Sequence, residues 1–453
     1  RVAGVTMTAD GTAGAAPLSL VFLPSDGAAD AEVKLISVVG LLLLLPIGCL
    51  GYALHTSPWL GPPRLRRLLL TALLPAIALA PLWVLEAHGG PLRSKMAHFA
   101  LSFFGIVAFF RWLELLCGTG PKGFDRSLKN FIIYFASPAE VLFDADGNLL
   151  WSSPGHGAGE LTLRIVGHMA AGTVVLSLGR ATAFAPLLEE GTDPWQLPRF
   201  GLPRAFPAVY LQSVYVYCML ATAMLMHRVP MALVGIQTQE PFRAPLLLST
   251  SARDFWGRRW NLLIHRLMKR TFFQPLASKG RCGKQVGGLL AFIMSAIFHE
   301  YMWLMVNWPD TSDYVPGLVV LFFLAQFVIC AGEAALARTA LGAWAAGLPR
   351  PLQTAATTCF LIPLGPLFLQ GIQGMAHESA EQGQTVAVVR SGSGLVPEGA
   401  GLRPPLDWVF MALVCALIAA ARARRRFRGR WPTLEKRSGA AVVPVADSTL
   451  CGA

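Results

Sequence analysis

The sequence predicts an all-α polytopic membrane protein: about nine transmembrane helices plus one amphipathic helix lying at the interface. Three observations predict this. The hydrophobic fraction is 54% and the charged fraction 14%, where a soluble domain carries roughly 25% charged residues. Mean hydropathy is +0.51, and apolar runs of about 18–22 residues recur along almost the whole chain. The basic residues fall mainly in alternate connections, as the positive-inside bias requires. A soluble chain of 453 residues would form two or three domains. The recurring runs argue instead for a single membrane-embedded body.

In chain order the expected spans are 35–54, 68–85, 97–116, 161–180, 205–226, 286–306, 315–336, 354–374 and 404–421. Pro46, Pro75 and Pro363 fall inside three of them. Neighbouring helices can satisfy the backbone groups that such prolines free. The third span carries Arg111 and Glu114, so it is expected to face protein rather than lipid. Residues 1–33 are rich in Ala and Gly and read as a disordered N-terminal segment. Residues 34–421 then form the membrane-embedded domain, and 422–453 a basic tail. Residues 378–403 read as a flexible loop.

Placing the loop with Arg64, Arg66 and Arg67 in the cytosol puts 117–160, 227–285, 337–353 and the tail on the same side. Those segments hold about 27 of the 38 lysines and arginines. The opposite loops include the acidic "EEGTDP" and "NWPDTSDY". The N-terminus is then lumenal and the C-terminus cytosolic. The net charge of +12 is largely this topology signal, with "RARRRFRGR" facing anionic headgroups. Nucleic-acid binding explains it less well.

Several chemistries lack their motifs. The eight cysteines form no C-x-x-C pair, so neither a disulfide framework nor a zinc site is indicated. No P-loop or dinucleotide fingerprint is present.

Two stretches carry the chemistry. The first is "STSARDFWGRRWNLLIHRLMKR", Ser249 to Arg270. Ser251 three residues before Asp254 resembles a capping box, and Pro275 bounds the far end. At helical spacing Asp254, Arg258, Asn261 and His265 share one face, and Trp256, Trp260, Leu263 and Leu267 share another. An interfacial helix fits, its polar side toward water or a ligand. A plain anchor of cytosolic basic residues also fits, but needs neither the Trp grouping nor Asn261.

The second is "MSAIFHEYMWLM", Met294 to Met305, which sets His299 and Glu300 in an apolar span. Ionisable groups there cost roughly 2.5–3.5 kcal/mol each to insert, which makes them functional candidates. The bland alternatives are a bond from His299 to Ser295 one turn back and an ion pair for Glu300. No second His follows at H-E-x-x-H spacing, so a zinc protease is not indicated. The remaining histidines read as structural.

"DFWGRRWN" (Asp254 to Asn261), followed 38 positions after Asn261 by the His of "SAIFHEY", resembles the membrane-bound O-acyltransferases. The first motif is closest to the wax synthase branch, the long-chain-alcohol O-acyltransferases. The second is also similar to the diacylglycerol and sterol acyltransferases. The specific likeness covers 249–308, and "RSLKNFIIYFASP" (Arg126 to Pro138) is more loosely similar to a cytosolic wax synthase segment. The resemblance implies a helical bundle enclosing a tunnel in the endoplasmic reticulum membrane. It implies His299 as the catalytic histidine and Asn261 as the second family-defining residue. Asp254, Trp256, Gly257, Arg258, Arg259 and Trp260 would bind acyl-CoA, with Ser295 and Glu300 supporting. Acyl-CoA enters as co-substrate with a lipid alcohol; no bound cofactor and no metal are implied.

A neutral histidine suits removal of an alcohol proton as the oxygen attacks a thioester, a role worth about 10²–10⁴-fold. Asn261 could donate to the thioester oxygen or to the pantetheine. No covalent acyl-enzyme is required, and Cys282 is not favoured as a nucleophile. The leading expectation is wax ester synthesis. The same chemistry on diacylglycerol, a sterol or a terpenoid hydroxyl, acetyl transfer included, is the alternative. A transporter or non-catalytic scaffold is the alternative of another class.

Overall fold

The computed structural model describes residues 44–87, 90–92, 94–181, 202–309, 311 and 314–369, with short stretches at 5–6, 18–22, 40, 371 and 386–390. The body is helical: α1 (Leu44–Thr56), α2 (Pro63–Ala87), α3 (Lys95–Cys117), α4 (Leu128–Ala136), α5 (Ala158–Ala181), α6 (Leu202–Val234) and α7 (Pro245–Leu248), then α8 (Ala252–Arg258), α9 (Leu262–Met268), a π-helical turn (Lys269–Phe273), α10 (Gln274–Ala277), α11 (Gly280–Val306), α12 (Leu318–Leu336), α13 (Ala340–Gly347) and α14 (Arg350–Leu361). Three short strands, β1 (Val5–Thr6), β2 (Leu18–Phe22) and β3 (Val386–Arg390), pair antiparallel in that order. This small sheet is not anticipated in the sequence. Two strands fall in the segment expected to be disordered and one in the expected flexible loop.

Among the described residues, six helical segments are long and apolar enough to cross a membrane: Pro63–Ala87, Lys95–Cys117, Val209–Val234, Cys282–Val306, Leu318–Leu336 and Arg350–Leu369. The expected spans at 35–54 and 161–180 correspond to the shorter α1 and to α5. The expected span 404–421 and the tail 422–453 lie outside the described residues.

Polar contacts among the spans follow membrane logic. α2 contains Pro75 and Pro81. The Trp112 indole donates to the Leu70 carbonyl at 2.8 Å, and the Tyr301 hydroxyl to the Ala78 carbonyl at 2.8 Å, so neighbours serve this helix's backbone. α3 meets α2 closely at Gly105, where a methyl group would lie 2.5 Å from the Pro81 ring. Small residues at such crossings let helices approach. Arg111 and Glu114 are buried, at 1% and 0% exposure, so α3 does turn them toward protein.

The main core gathers side chains from α3, α6, α9, α11, α12 and 362–369. A second core joins α1 and α2 to α3 and α4. α3 and its Phe and Trp side chains belong to both, with Trp112 fully buried. The two sequence motifs therefore lie against the larger core.

Candidate active site

The first motif builds a rigid frame from its own side chains. Ser251 is the N-cap of α8, and its hydroxyl accepts from the Asp254 N–H at 3.0 Å. Glu333 of α12 accepts from the N–H groups of Ala252 (2.7 Å) and Arg253 (3.1 Å). A carboxylate is favoured there, where helix N–H groups have no internal partner. Asp254 is buried. It accepts from Arg259 Nε at 2.6 Å and from the Thr250 N–H at 3.1 Å. Arg259 also donates to the Arg243 carbonyl at 3.2 Å. Asp254 Oδ2 and the Nε and Nη1 of Arg259 thus brace the motif.

The expected single amphipathic helix is broken after Arg258. Asn261 has φ 35° and ψ 66°, in the left-handed region where Asn is tolerated better than most residues. Its side-chain oxygen accepts from the Ile264 N–H at 3.4 Å, which caps α9. The identity of this residue is therefore explained twice, by backbone conformation and by capping. Leu263 and Leu267 are buried in the core. Pro275 does not end the helical run. It sits in the first turn of α10, where its missing N–H has no consequence.

The second motif lies on α11. This helix meets the preceding segment through glycines: a methyl on Gly283 would lie 2.0 Å from the Leu276 carbonyl oxygen, and one on Gly287 would lie 3.0 Å from that of Phe273. Three turns after Gly287 comes His299. Its Nδ1 is 2.7 Å from the Ser295 carbonyl oxygen. A carbonyl only accepts, so Nδ1 carries the proton and Nε2 of the neutral ring is left as a base. Ser295 thus orients the ring, through its backbone and not its hydroxyl. Aromatic rings fix the imidazole further. Phe298 is at 4.0 Å, Phe323 is stacked at 4.7 Å, and Phe368 meets it edge-on at 5.2 Å.

Glu300 points elsewhere. Its carboxylate accepts from the Gly317 N–H at 2.8 Å, at the N-cap of α12. It also lies beside Tyr314, whose phenol burial, then the Glu300 charge, raises above its ordinary value. Glu300 ties α11 to the helix that supplies Phe323.

Two cavities share His299. The first is lined largely by apolar groups from α6, α12 and 357–369, together with the hydroxyls of Ser213, Thr357 and Thr358. The second lies between α8, α9 and α11, and includes Gly257, Asn261, His265 and Ser295. Trp256, Trp260 and Phe323 line both. Trp256, Gly257, Trp260, Asn261, Ser295 and His299, separated by up to 43 positions in the chain, are thus brought together around one space. Arg258 is exposed beside Gly257 and has no bonded partner among the described residues. Asp254, Arg259 and Glu300 serve as braces.

The sequence reading passed over two residues of α12. Gln326 is fully buried and lines the first cavity. Its oxygen accepts from Trp256 Nε1 at 3.0 Å, and its Nε2 has no partner among the described residues. Glu333 anchors α8. Both stand in the apolar span 315–336, and polar groups in a span are candidates on that ground alone. Two other histidines, buried His98 and half-buried His168, have both ring nitrogens engaged. His98 bonds the Met305 carbonyl at 2.8 Å and the Leu92 N–H at 2.9 Å. His168 bonds the Arg164 carbonyl at 2.7 Å and the Tyr217 hydroxyl at 3.2 Å.

Comparison with known proteins points the same way. Residues 239–325 match the model of the "Membrane bound O-acyl transferase family". The chain is 31% identical over 146 residues to the probable long-chain-alcohol O-fatty-acyltransferase 7 of Arabidopsis thaliana, covering 31% of this chain and 41% of that protein. It is 35% identical over 96 residues to the long-chain-alcohol O-fatty-acyltransferase of Simmondsia chinensis, covering 20% and 27%. It is 28% identical over 138 residues to acyl-CoA--sterol O-acyltransferase 1 of Arabidopsis thaliana, covering 29% and 37%. The chain therefore matches less than half the length of these relatives. Over residues 239–325 the chain is thus similar to the membrane-bound O-acyl transferase family, its relatives include long-chain-alcohol O-fatty-acyltransferases, and six helices among the described residues are long and apolar enough to make it an integral membrane protein.

Proposed function

We propose that the protein is an acyl-CoA-dependent O-acyltransferase that esterifies a long-chain fatty alcohol to a wax ester, with His299 as general base. The observation that carries this reading is the His299 imidazole at the meeting point of two cavities, its Nδ1–H donated to the Ser295 carbonyl. The cavity beside Asn261 and the exposed Arg258 receives the acyl-CoA thioester, with Arg258 toward the phosphates. The more apolar cavity takes the alcohol.

Nε2 accepts the alcohol proton while the oxygen attacks the thioester carbonyl. The oxyanion forms within reach of side-chain amides; Asn261 and the unpartnered Nε2 of Gln326 are the donors proposed for it. Collapse breaks the C–S bond, the imidazolium returns its proton to the CoA thiolate, and ester and CoA leave. No acyl-enzyme forms. The orientation, with the CoA mouth cytosolic, and the endoplasmic reticulum location belong to this proposal and are supported by the distribution of basic residues.

The test is turnover by the purified protein in detergent with labelled palmitoyl-CoA and a pool of hexadecanol, diacylglycerol and sterol. Wax ester as the main product supports the acceptor. Steryl ester or triacylglycerol as the main product would keep the mechanism and replace the acceptor. No ester with palmitoyl-CoA or acetyl-CoA would favour a scaffold or transporter.

A further inference from the structure

α9 separates two environments. Ile264, His265 and Met268 line the second cavity. Its neighbouring face and the π-helical turn carry Arg266 and Arg270, and both reach buried acidic groups. Arg270 donates through Nε to Glu114 of α3 at 2.6 Å, and through Nη1 to Glu140 at 2.6 Å. It also donates to the Tyr134 hydroxyl at 3.0 Å. That hydroxyl in turn donates to Glu114. Arg266 lies 3.9 Å from Glu140 and donates to Gln239 at 2.9 Å. Arg111 donates to the carbonyls of Tyr134, Phe135 and Ala139, holding the end of α4 in place beneath the cluster.

Glu114, Glu140, Arg111 and Tyr134 are all at most 3% exposed. Buried Arg111 and half-buried Arg270 set two positive charges against the buried carboxylates of Glu114 and Glu140, so the cluster is balanced in charge. Burial alone would raise the Glu140 carboxyl, but the charge and hydrogen bonds of Arg270, then the charges of Arg111 and Arg266, hold it below its ordinary value. Loss of one partner would leave an uncompensated charge in the interior. The π-turn adds one residue per turn, and such insertions recur at functional sites. It also contacts α11 at Gly287 and sets Phe272 edge-on to Phe110, which meets Phe298 beside His299.

We infer that Glu140 and Arg270 are positioning residues for the acyl donor: their ion pair, shared with Glu114 and Tyr134, fixes the α9 wall of the donor cavity from its far side. No atom of the cluster lines either cavity, so it acts only through α9 and the π-turn. The inference rests on the acyl-CoA reading above, and deepens it by assigning donor affinity to a network outside the cavity.

The probe is S-hexadecyl-CoA, a thioether that binds as a donor but cannot transfer its chain. Full-length wild type, E140Q, E140D and Y134F are compared in detergent for probe affinity and for both KM values. E140Q is expected to weaken probe binding and raise the palmitoyl-CoA KM by about tenfold, with the hexadecanol KM within about twofold of wild type. E140D, which keeps the charge, is expected to recover to within about threefold. Y134F, which removes one hydroxyl, is expected to show a smaller donor effect of about threefold. Y134F decides the matter if E140Q does not fold. Unchanged probe affinity in the folded variants, or equal changes in both KM values, would overturn the inference. Failure of wild type to bind the probe would instead overturn the acyl-CoA reading.

Discussion

A histidine whose Nδ1–H is tied to a carbonyl one turn back leaves its other nitrogen free to act as a base, and the proposed chemistry turns on that atom. H299A is expected to reduce esterification by at least about 10²-fold while S-hexadecyl-CoA affinity stays within about threefold of wild type. Equilibrium binding and steady-state rates on the same preparation check this. S295A is expected to retain near-wild-type activity, because the backbone carbonyl that orients the ring survives the substitution. Asn261 allows a sharper separation. N261G keeps the left-handed backbone available and costs only a few tenths of a kcal/mol in capping. A fall in kcat without a comparable loss of Tm would therefore assign a chemical role to the carboxamide. A parallel fall in both would leave it a helix cap.

At the scale of elements, α8 hangs from Glu333 by two N–H bonds. E333A is expected to destabilise this helix by about 1–2 kcal/mol, seen as faster amide exchange at 252–258. The Glu140 cluster gives a pH signature. Arg270, Arg266, Arg111, Glu114 and Tyr134 surround this carboxyl, and the carboxyl is held below its ordinary value. A depressed carboxyl stabilises the fold fully above the ordinary carboxylate range, and the contribution is lost as pH falls through the folded value. The Tm difference between wild type and E140Q should thus be constant from pH 8 to about 5.5 and narrow below about pH 4. A gap that instead widened on acidification would contradict the role of charge here.

These elements also show what a sequence can carry. The apolar runs at 68–85, 97–116, 286–306 and 315–336 are legible because membrane insertion is a local property of composition. The burial of Arg111 and Glu114 is legible for the same reason, since a charge in a span must face protein. Their partners are not, because Glu140 and Arg270 are joined to them only by tertiary packing. The break at Asn261 is also hidden: helical spacing continues through it, and only a backbone angle reveals the turn. His299 and Asn261 could be singled out by motif, whereas Gln326 and Glu333 look like isolated polar residues until α12 is packed against α8.

At the scale of the whole molecule, two cavities meet at one imidazole, and in the proposed reaction donor and acceptor approach His299 from different sides. Thr358 lines only the first cavity. T358F is expected to lower turnover of hexadecanol more than that of decanol, by about threefold or more in relative kcat/KM, with the palmitoyl-CoA KM little changed. The most direct measurement remains ester formation from labelled palmitoyl-CoA and hexadecanol by purified wild type beside H299A. Wax ester from wild type, with the H299A rate at least about 10²-fold lower, is the expected result. Equal rates in the two proteins would mean that His299 is not the base and that the chemistry lies elsewhere in the fold.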